Sequence, residues 1–234
     1  MNLQREMIEI LKSKINNGDI NTKRIKESLA RVHELKNKFK LRSFAEKRKN
    51  LKLRKKIKLE KKIAGESITL LKNSLGLIPF DANRTILLID IKQISHTANA
   101  NDKAGINIIE SIAGRFFSSC EYFLPDQGLR ITLDEKRKIL NSDHILIFDH
   151  SWSSLPDKGK ESYINEIFKL RKDSILICAN SPYTADNYDD AETIILTYGS
   201  RNVQLEALFS ILSGRSKPKG QLPVTISEKY PIGS

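Results

Sequence analysis

The sequence predicts an α/β fold: a three-layer αβα sandwich with a mostly parallel, doubly wound sheet, preceded by a helical N-terminal arm. Three observations lead there. From Thr85 onward, short apolar runs alternate with amphipathic stretches of helical period. The connections between them are short, so each new strand runs parallel to the last and the helices cover both faces of the sheet. The length of 234 residues and the hydrophobic content of 39% allow one large domain with a real core plus an arm.

The arm, residues 1–40, reads as two helices. Met7, Ile10, Leu11 and Ile15 form one apolar stripe. Asn16-Asn17-Gly18-Asp19 is a turn. Asn21 or Thr22 caps the second helix, in which Ile25, Leu29, Val32 and Leu35 form another stripe. Residues 41–62 form a basic linker in which Leu53, Ile57, Leu59 and Ile63 keep helical spacing.

Residues 63–234 make up the αβα domain. Thr85 to Ile89 is its first clear strand. A helix from Ala104 to Phe117 turns Ile108, Ile109, Ile112 and Phe116 inward. Glu121 to Leu124 is a weaker strand, and Leu133 to Leu140 a helix. His144 to Phe148 is a strand, Lys158 to Leu170 a helix, and Ser174 to Cys178 a strand. Thr193 to Thr197 is another buried strand. The next helix carries Leu205, Leu208, Phe209 and Leu212 on one face, and Gly214 stops it. Pro218 and Gly220 shape a turn. Leu222 to Ile226 reads as a last strand, which tolerates Pro223 near an edge or an end.

The net charge of +12 suggests a polyanion binder, but its distribution argues otherwise. Between Lys36 and Lys62 there are 14 Lys/Arg and 2 Asp/Glu, so the remainder is close to neutral. The plainer reading is a solvated helix whose long side chains cover apolar surface with their stems. No aromatic platform accompanies the charge, so nucleic acid is not the expected partner. Cys120 and Cys178 each sit in or beside an apolar run and read as buried free thiols. No apolar run approaches a membrane span. Met1 to Ile10 is charged and amphipathic, unlike a secretory signal, so the chain as it stands reads as cytoplasmic.

Ligands of open α/β sheets bind beyond the carboxyl ends of the strands, at the switch in strand order. The polar residues expected there are Asp90, Asp149, His150, Asn180, Ser181 and Tyr183. Asp149-His150 invites a proton-transfer role. Adjacent positions on an extended strand point to opposite sides, however, so capping a strand end is the plainer reading. His33, His96 and His144 stand alone, with no zinc-ligand spacing. No dinucleotide fingerprint, phosphate loop or nucleophile elbow occurs. The residues therefore assign no catalytic side chain, cofactor or metal.

Several phrases share fixed spacings with one family. They are Thr197-Tyr198-Gly199, Gln204-x-Glu206-Ala207, P-K-G-Q-L-P-V-T-I from Pro218 to Ile226, and Y-P-I-G from Tyr230 to Gly233. Near the start stand Gly18-Asp19-Ile20, Arg24-Ile25 and Leu35-Lys36. Glu66 to Asn73 (E-S-I-T-L-L-K-N) and Gly76 to Pro79 lie between. Together they resemble family-3 glycoside hydrolases of the two-domain β-N-acetylhexosaminidase and β-glucosidase type. The resemblance covers nearly the whole chain. It implies that residues 1–40 correspond to the end of the catalytic barrel, and residues 63–234 to the second, αβα domain. It also implies a helix through Leu71, with Ile68 and Leu71 packing inward, that ends across Asn73 to Gly76. Glu66 then reads as a structural or exposed helix residue, and Ser181-Pro182-Tyr183 as a loop-shaping phrase.

A retaining glycosidase needs a carboxylate nucleophile and a nearby general acid. In the resembled family the nucleophile is a barrel aspartate in an S/T-D-x-x-M-like motif, and the hexosaminidase branch adds a K-H-F-P-G-H-G-like loop. Neither motif occurs in this sequence. Glucosidase members take the acid from the second domain, but Glu161, Glu192 and Glu206 lack a supporting phrase. The resemblance thus implies a non-nucleophile domain that packs on a separately encoded or upstream barrel, walls a glycan cleft, and is inactive alone. The alternative is a stand-alone interaction module, or a polyanion binder using Lys36 to Lys62.

Overall fold

The computed structural model describes residues 2–39, 53–91, 108–126, 128–152 and 157–234, which divide into two compact units at Lys55/Lys56. Within the first unit, α1 spans Asn2–Asn16 and α2 spans Thr22–Lys38. Gly18, at φ +81°, makes the turn between them. Asn21 caps α2 by accepting from the Lys23 N–H at 2.9 Å. The apolar stripes form as the spacing predicts, yet no residue of α2 is buried. The basic stretch falls partly outside the described residues.

Helix α3, Leu53–Ser67, leads into the sheet of the second unit. Among the described residues six strands form one sheet, in the order β1-β6-β5-β4-β2-β3. They are β1 (Thr69–Asn73), β2 (Thr85–Ile91), β3 (Ser119–Phe123), β4 (His144–Asp149), β5 (Ile175–Cys178) and β6 (Thr193–Leu196). Strands β2 to β6 are mutually parallel, and β1 runs antiparallel to β6. Helices flank the sheet: α4 (Ile108–Ala113), α5 (Leu133–Asn141), α6 (Lys158–Leu170) and α7 (Asn202–Leu212). This is the expected αβα sandwich.

The period-two alternation of the strands divides the core. Ile86, Leu88, Leu146 and Phe148 face α4 and α7, where Ile112, Leu208 and Phe209 fill the space. Leu87, Ile89, Ile145 and Ile147 face α5 and α6, against Ile139, Ile164 and Phe168. Each large apolar side chain so buried contributes about 1.5–3 kcal/mol. Arg171 ties α6 to the turn before β4, donating to the carbonyls of Ile139, Ser142 and Asp143 and to both Asp173 oxygens. Thr132 and Glu135 close a reciprocal capping box on α5. Gly214, at φ +74°, ends α7 as expected, and a Cβ built there would lie 3.1 Å from the Pro79 ring.

Three element boundaries differ from expectation. Helix α3 stops at Ser67, and Thr69–Asn73 is a strand. Both Ile68 and Leu71 pack inward, but on opposite faces of the sheet, as residues three apart on an extended chain must. The free edge of β6 supplies the backbone partners that decide this. Leu222 to Ile226 is not a strand. The segment folds on itself instead, with Leu222 and Ser234 sharing a 2.9 Å bond and Ile226 donating to the Tyr230 carbonyl at 3.0 Å. The described helix α4 is shorter than expected, since tight turns over Gly114 to Phe117 end it; residues 104–107 lie outside the described residues.

Candidate functional site

Strands β2 to β6 all point their carboxyl ends to one edge of the sheet. The chain starts at β2, steps out to β3 and then returns to β4 on the other side. The strand order therefore switches between β2 and β4, the position at which doubly wound sheets bind ligands. Of the residues expected at this edge, Asp90, His150 and Asn180 meet in one neighbourhood and Asp149 lies in a second, while a groove beside β6 makes a third.

At the switch itself, Asp90 ends β2 and His150 follows β4. His150 Nε2 lies 2.7 Å from Asp90 Oδ1, an ion pair when the imidazole is protonated. Tyr122 of β3 donates to Asp90 Oδ2 at 2.8 Å. The backbone carbonyl of His150 accepts from the Asn180 side-chain amide at 2.9 Å, which joins the ends of β4 and β5. Three neighbouring strands thus hold one buried carboxylate.

Asp149 faces the opposite side of the sheet, so Asp149 and His150 form no dyad. It is 1% exposed and pairs at 2.9 Å with Lys160, whose side chain is 4% exposed. Ser151 donates to the same carboxylate through both its backbone N–H, at 3.0 Å, and its hydroxyl, at 2.7 Å. Lys160 also contacts the Ser151 hydroxyl. Tyr188 donates to the second oxygen at 3.4 Å. Burial, and then the Asp149 charge, push the Tyr188 phenol up, which keeps it a donor. Burial likewise pushes the Cys178 thiol up to about 12, with Asp149 adding to the effect, so Cys178 is an inert core group. This network is a satisfied structural knot under the edge. Lys160 was not anticipated, although its position gave a signal: it falls on the apolar face of α6 with Tyr163, Ile164 and Ile167.

The third neighbourhood is a groove of about 420 Å³ beside the carboxyl end of β6. The last turns of α3, the β6–α7 junction and the C-terminal segment wall it. Tyr198 sits there at φ +54°, a left-handed conformation that costs a residue with a Cβ about 1–2 kcal/mol. A 3.0 Å bond between its hydroxyl and that of Thr69 on β1 fixes the ring. Gly220 crosses the α3–β1 junction so closely that a Cβ would lie 2.2 Å from the Ser67 carbonyl oxygen. The buried side-chain oxygen of Gln204 has no hydrogen-bond donor among the described residues. An unmet buried acceptor costs about 1–3 kcal/mol.

The remaining candidates lie outside these side-chain networks or outside the described residues. Glu206 pairs with Lys61 at 3.0 Å and with Arg115 at 3.1 Å. Glu192 lies at the opposite edge, before β6. A hydrogen bond from Ser74 and the nearby Lys72 hold its carboxyl below the usual range. Glu161 lies on α6. Ser181 precedes the short helical turn Pro182–Asn187, where its carbonyl accepts from Thr184, and Tyr183 is exposed. His144 stacks on Phe80 with centroids 3.9 Å apart, and His33 lies in α2. His96 lies outside the described residues. No cluster of three or more metal-ligating side chains occurs among the described residues, and none of their helices is long and apolar enough to cross a membrane.

Fold and edge define a doubly wound αβα domain with its polar groups gathered at the strand ends. No family model and no curated protein matches the sequence. Solved structures do match. A fungal multi-domain family-3 β-N-acetylglucosaminidase carrying a GCN5-related glucosamine N-acetyltransferase region superposes with TM-score 0.67 at 20% identity, over 96% of this chain and 26% of that one. A family-3 β-N-acetylglucosaminidase from Paenibacillus gives TM-score 0.64 at 17% identity, over 96% of this chain and 43% of its own. A β-glucoside phosphorylase gives TM-score 0.55 at 20% identity, over 93% and 41%. At these identities the likeness is one of fold. The chain spans less than half the length of each.

Proposed function

We propose that this chain is the non-nucleophile domain of a glycoside hydrolase of the β-N-acetylhexosaminidase type. In this reading its carboxyl edge faces the substrate cleft of a catalytic barrel, and the chain alone hydrolyses nothing. The observation that carries it is the coverage. Enzymes acting on glycosides match 96% of this chain while it spans only 26% and 43% of them. The sequence phrases described above and the missing nucleophile motif agree with that. The assay is release of nitrophenol from aryl N-acetyl-β-glucosaminides. The purified chain should match a blank, whereas fusion to a family-3 hexosaminidase barrel whose own second domain has been removed should restore turnover. Turnover by the chain alone, or a fusion no more active than the bare barrel, would defeat the proposal.

A second reading rests on the basic stretch Lys36 to Lys62, of which Lys56, Lys58, Lys61 and Lys62 lie on α3. If the chain is a polyanion binder, affinity for nucleic acid falls steeply with salt. Weak, salt-insensitive binding removes this reading.

A further inference from the structure

Two aromatic side chains reach solvent at the carboxyl edge of the sheet. Among the described residues of the second unit, Trp152 and Tyr183 are the aromatics left exposed, at 71% and 41%. Every other described aromatic side chain there is buried or half-buried. The two follow neighbouring strands: Trp152 comes after β4 and Tyr183 after β5. The chains stay paired beyond those strands, since the Asp149 carbonyl accepts from the Ala179 N–H at 2.8 Å and the Ser151 carbonyl from the Ser181 N–H at 3.1 Å. Alternation therefore continues to Trp152, which leaves on the face of Phe148 and His150, whose rings stack with centroids 6.3 Å apart. An exposed indole thus follows the half-buried His150 imidazole, beside the switch in strand order where doubly wound sheets take small ligands. The charges at this edge close on one another, Asp90 with His150 and Asp149 with Lys160, which suits a neutral ligand. Flat apolar faces bordered by polar groups complement a pyranose ring, whose axial C–H groups make an apolar face and whose equatorial hydroxyls make a polar rim.

We propose that Trp152 and Tyr183 form a stacking platform for a pyranose ring of a β-linked N-acetylglucosamine oligosaccharide. The platform follows from the edge itself; the choice of sugar rests on the glycoside hydrolase reading. Trp152 is the one tryptophan of the chain, so tryptophan fluorescence reports the platform directly. The full chain is titrated with tri-N-acetylchitotriose to about 20 mM, a range that reveals millimolar sites. Open-chain glucitol, which has the hydroxyls and no ring face, is the control. The sugar should shift the emission to the blue and saturate, and glucitol should not. Calorimetry then compares variants at these two exposed positions, whose unfolding midpoints should match the native chain. Trp152→Ala should weaken binding about tenfold, and Tyr183→Ala less, as the smaller ring offers less area. The titration needs no barrel, so the two readings fail separately. Sugar binding by the chain beside an inert barrel fusion supports the platform and defeats only the hydrolase reading. An active fusion beside a chain that binds no sugar defeats only the platform. No saturable shift, an equal shift with glucitol, or full affinity in Trp152→Ala each overturns the proposal.

Discussion

Helices α2 and α6 carry similar apolar stripes and meet different fates. In α6, Tyr163, Ile164, Ile167 and Phe168 all lie at 1% exposure or less. In α2, Leu29, Val32 and Leu35 remain 52%, 47% and 57% exposed. Both stripes follow the same three- and four-residue spacing. The difference is the surface available to each: α6 lies on a sheet whose face offers Leu87, Ile147 and Leu176, whereas the described residues of the unit holding α2 provide no such face. Periodicity thus reports that a face is apolar and says nothing about what covers it.

The comparison breaks most sharply at Lys160, the one charge on the buried stripe. Lys160→Met leaves Asp149 buried without its cation and should cost about 3–5 kcal/mol in denaturant unfolding of the chain. Adding Asp149→Asn should recover part of that loss. A cost below about 1 kcal/mol for the single variant would show that Ser151 and Tyr188 satisfy Asp149 unaided. Truncation compares the two helices directly. Ile167→Ala should cost about 2–5 kcal/mol, because the sheet cannot collapse into the cavity. Leu29→Ala should stay within about 0.5 kcal/mol. Similar losses at both positions would mean that α2 is covered in solution.

The smallest effect is a dependence on pH at the other end of β4. Burial holds the His144 imidazole below its ordinary value, against the opposing pull of Asp143 and Asp173. Between that lowered value and about 6.5 the unfolded chain binds more protons than the folded one, so stability rises with pH there. The contribution is complete above about 6.5 and is lost as pH falls through the lowered value. His144→Phe keeps the stack on Phe80 and removes the titration. Its stability should fall less than that of the native chain between pH 7.5 and 5; an unchanged slope would remove His144 as the cause.

The candidate site was only partly legible in the sequence. Every strand that ends in a polar residue announced its position, so Asp90, Asp149, His150, Asn180, Ser181 and Tyr183 were found from order alone. Their pairing was not. Asp149 and His150 are neighbours in sequence, yet one joins α6 and the other joins β2, because successive side chains of a strand leave on opposite faces. The groove could not be read at all. Glu60, Tyr198, Gln204 and Gly220 come from three segments that meet only when β1 pairs with β6.

The sequence by itself determined the αβα class, five parallel strands, the faces of their helices and the polar edge, because local period and burial demand agree along each of those segments. The tertiary structure decided the fate of two short segments, T-L-L-K-N and L-P-V-T-I. The first became a strand because its backbone pairs with β6, and the second became a loop whose backbone bonds close within the C-terminal segment itself. Backbone groups must find partners, and which partner remains open is a property of the assembled sheet.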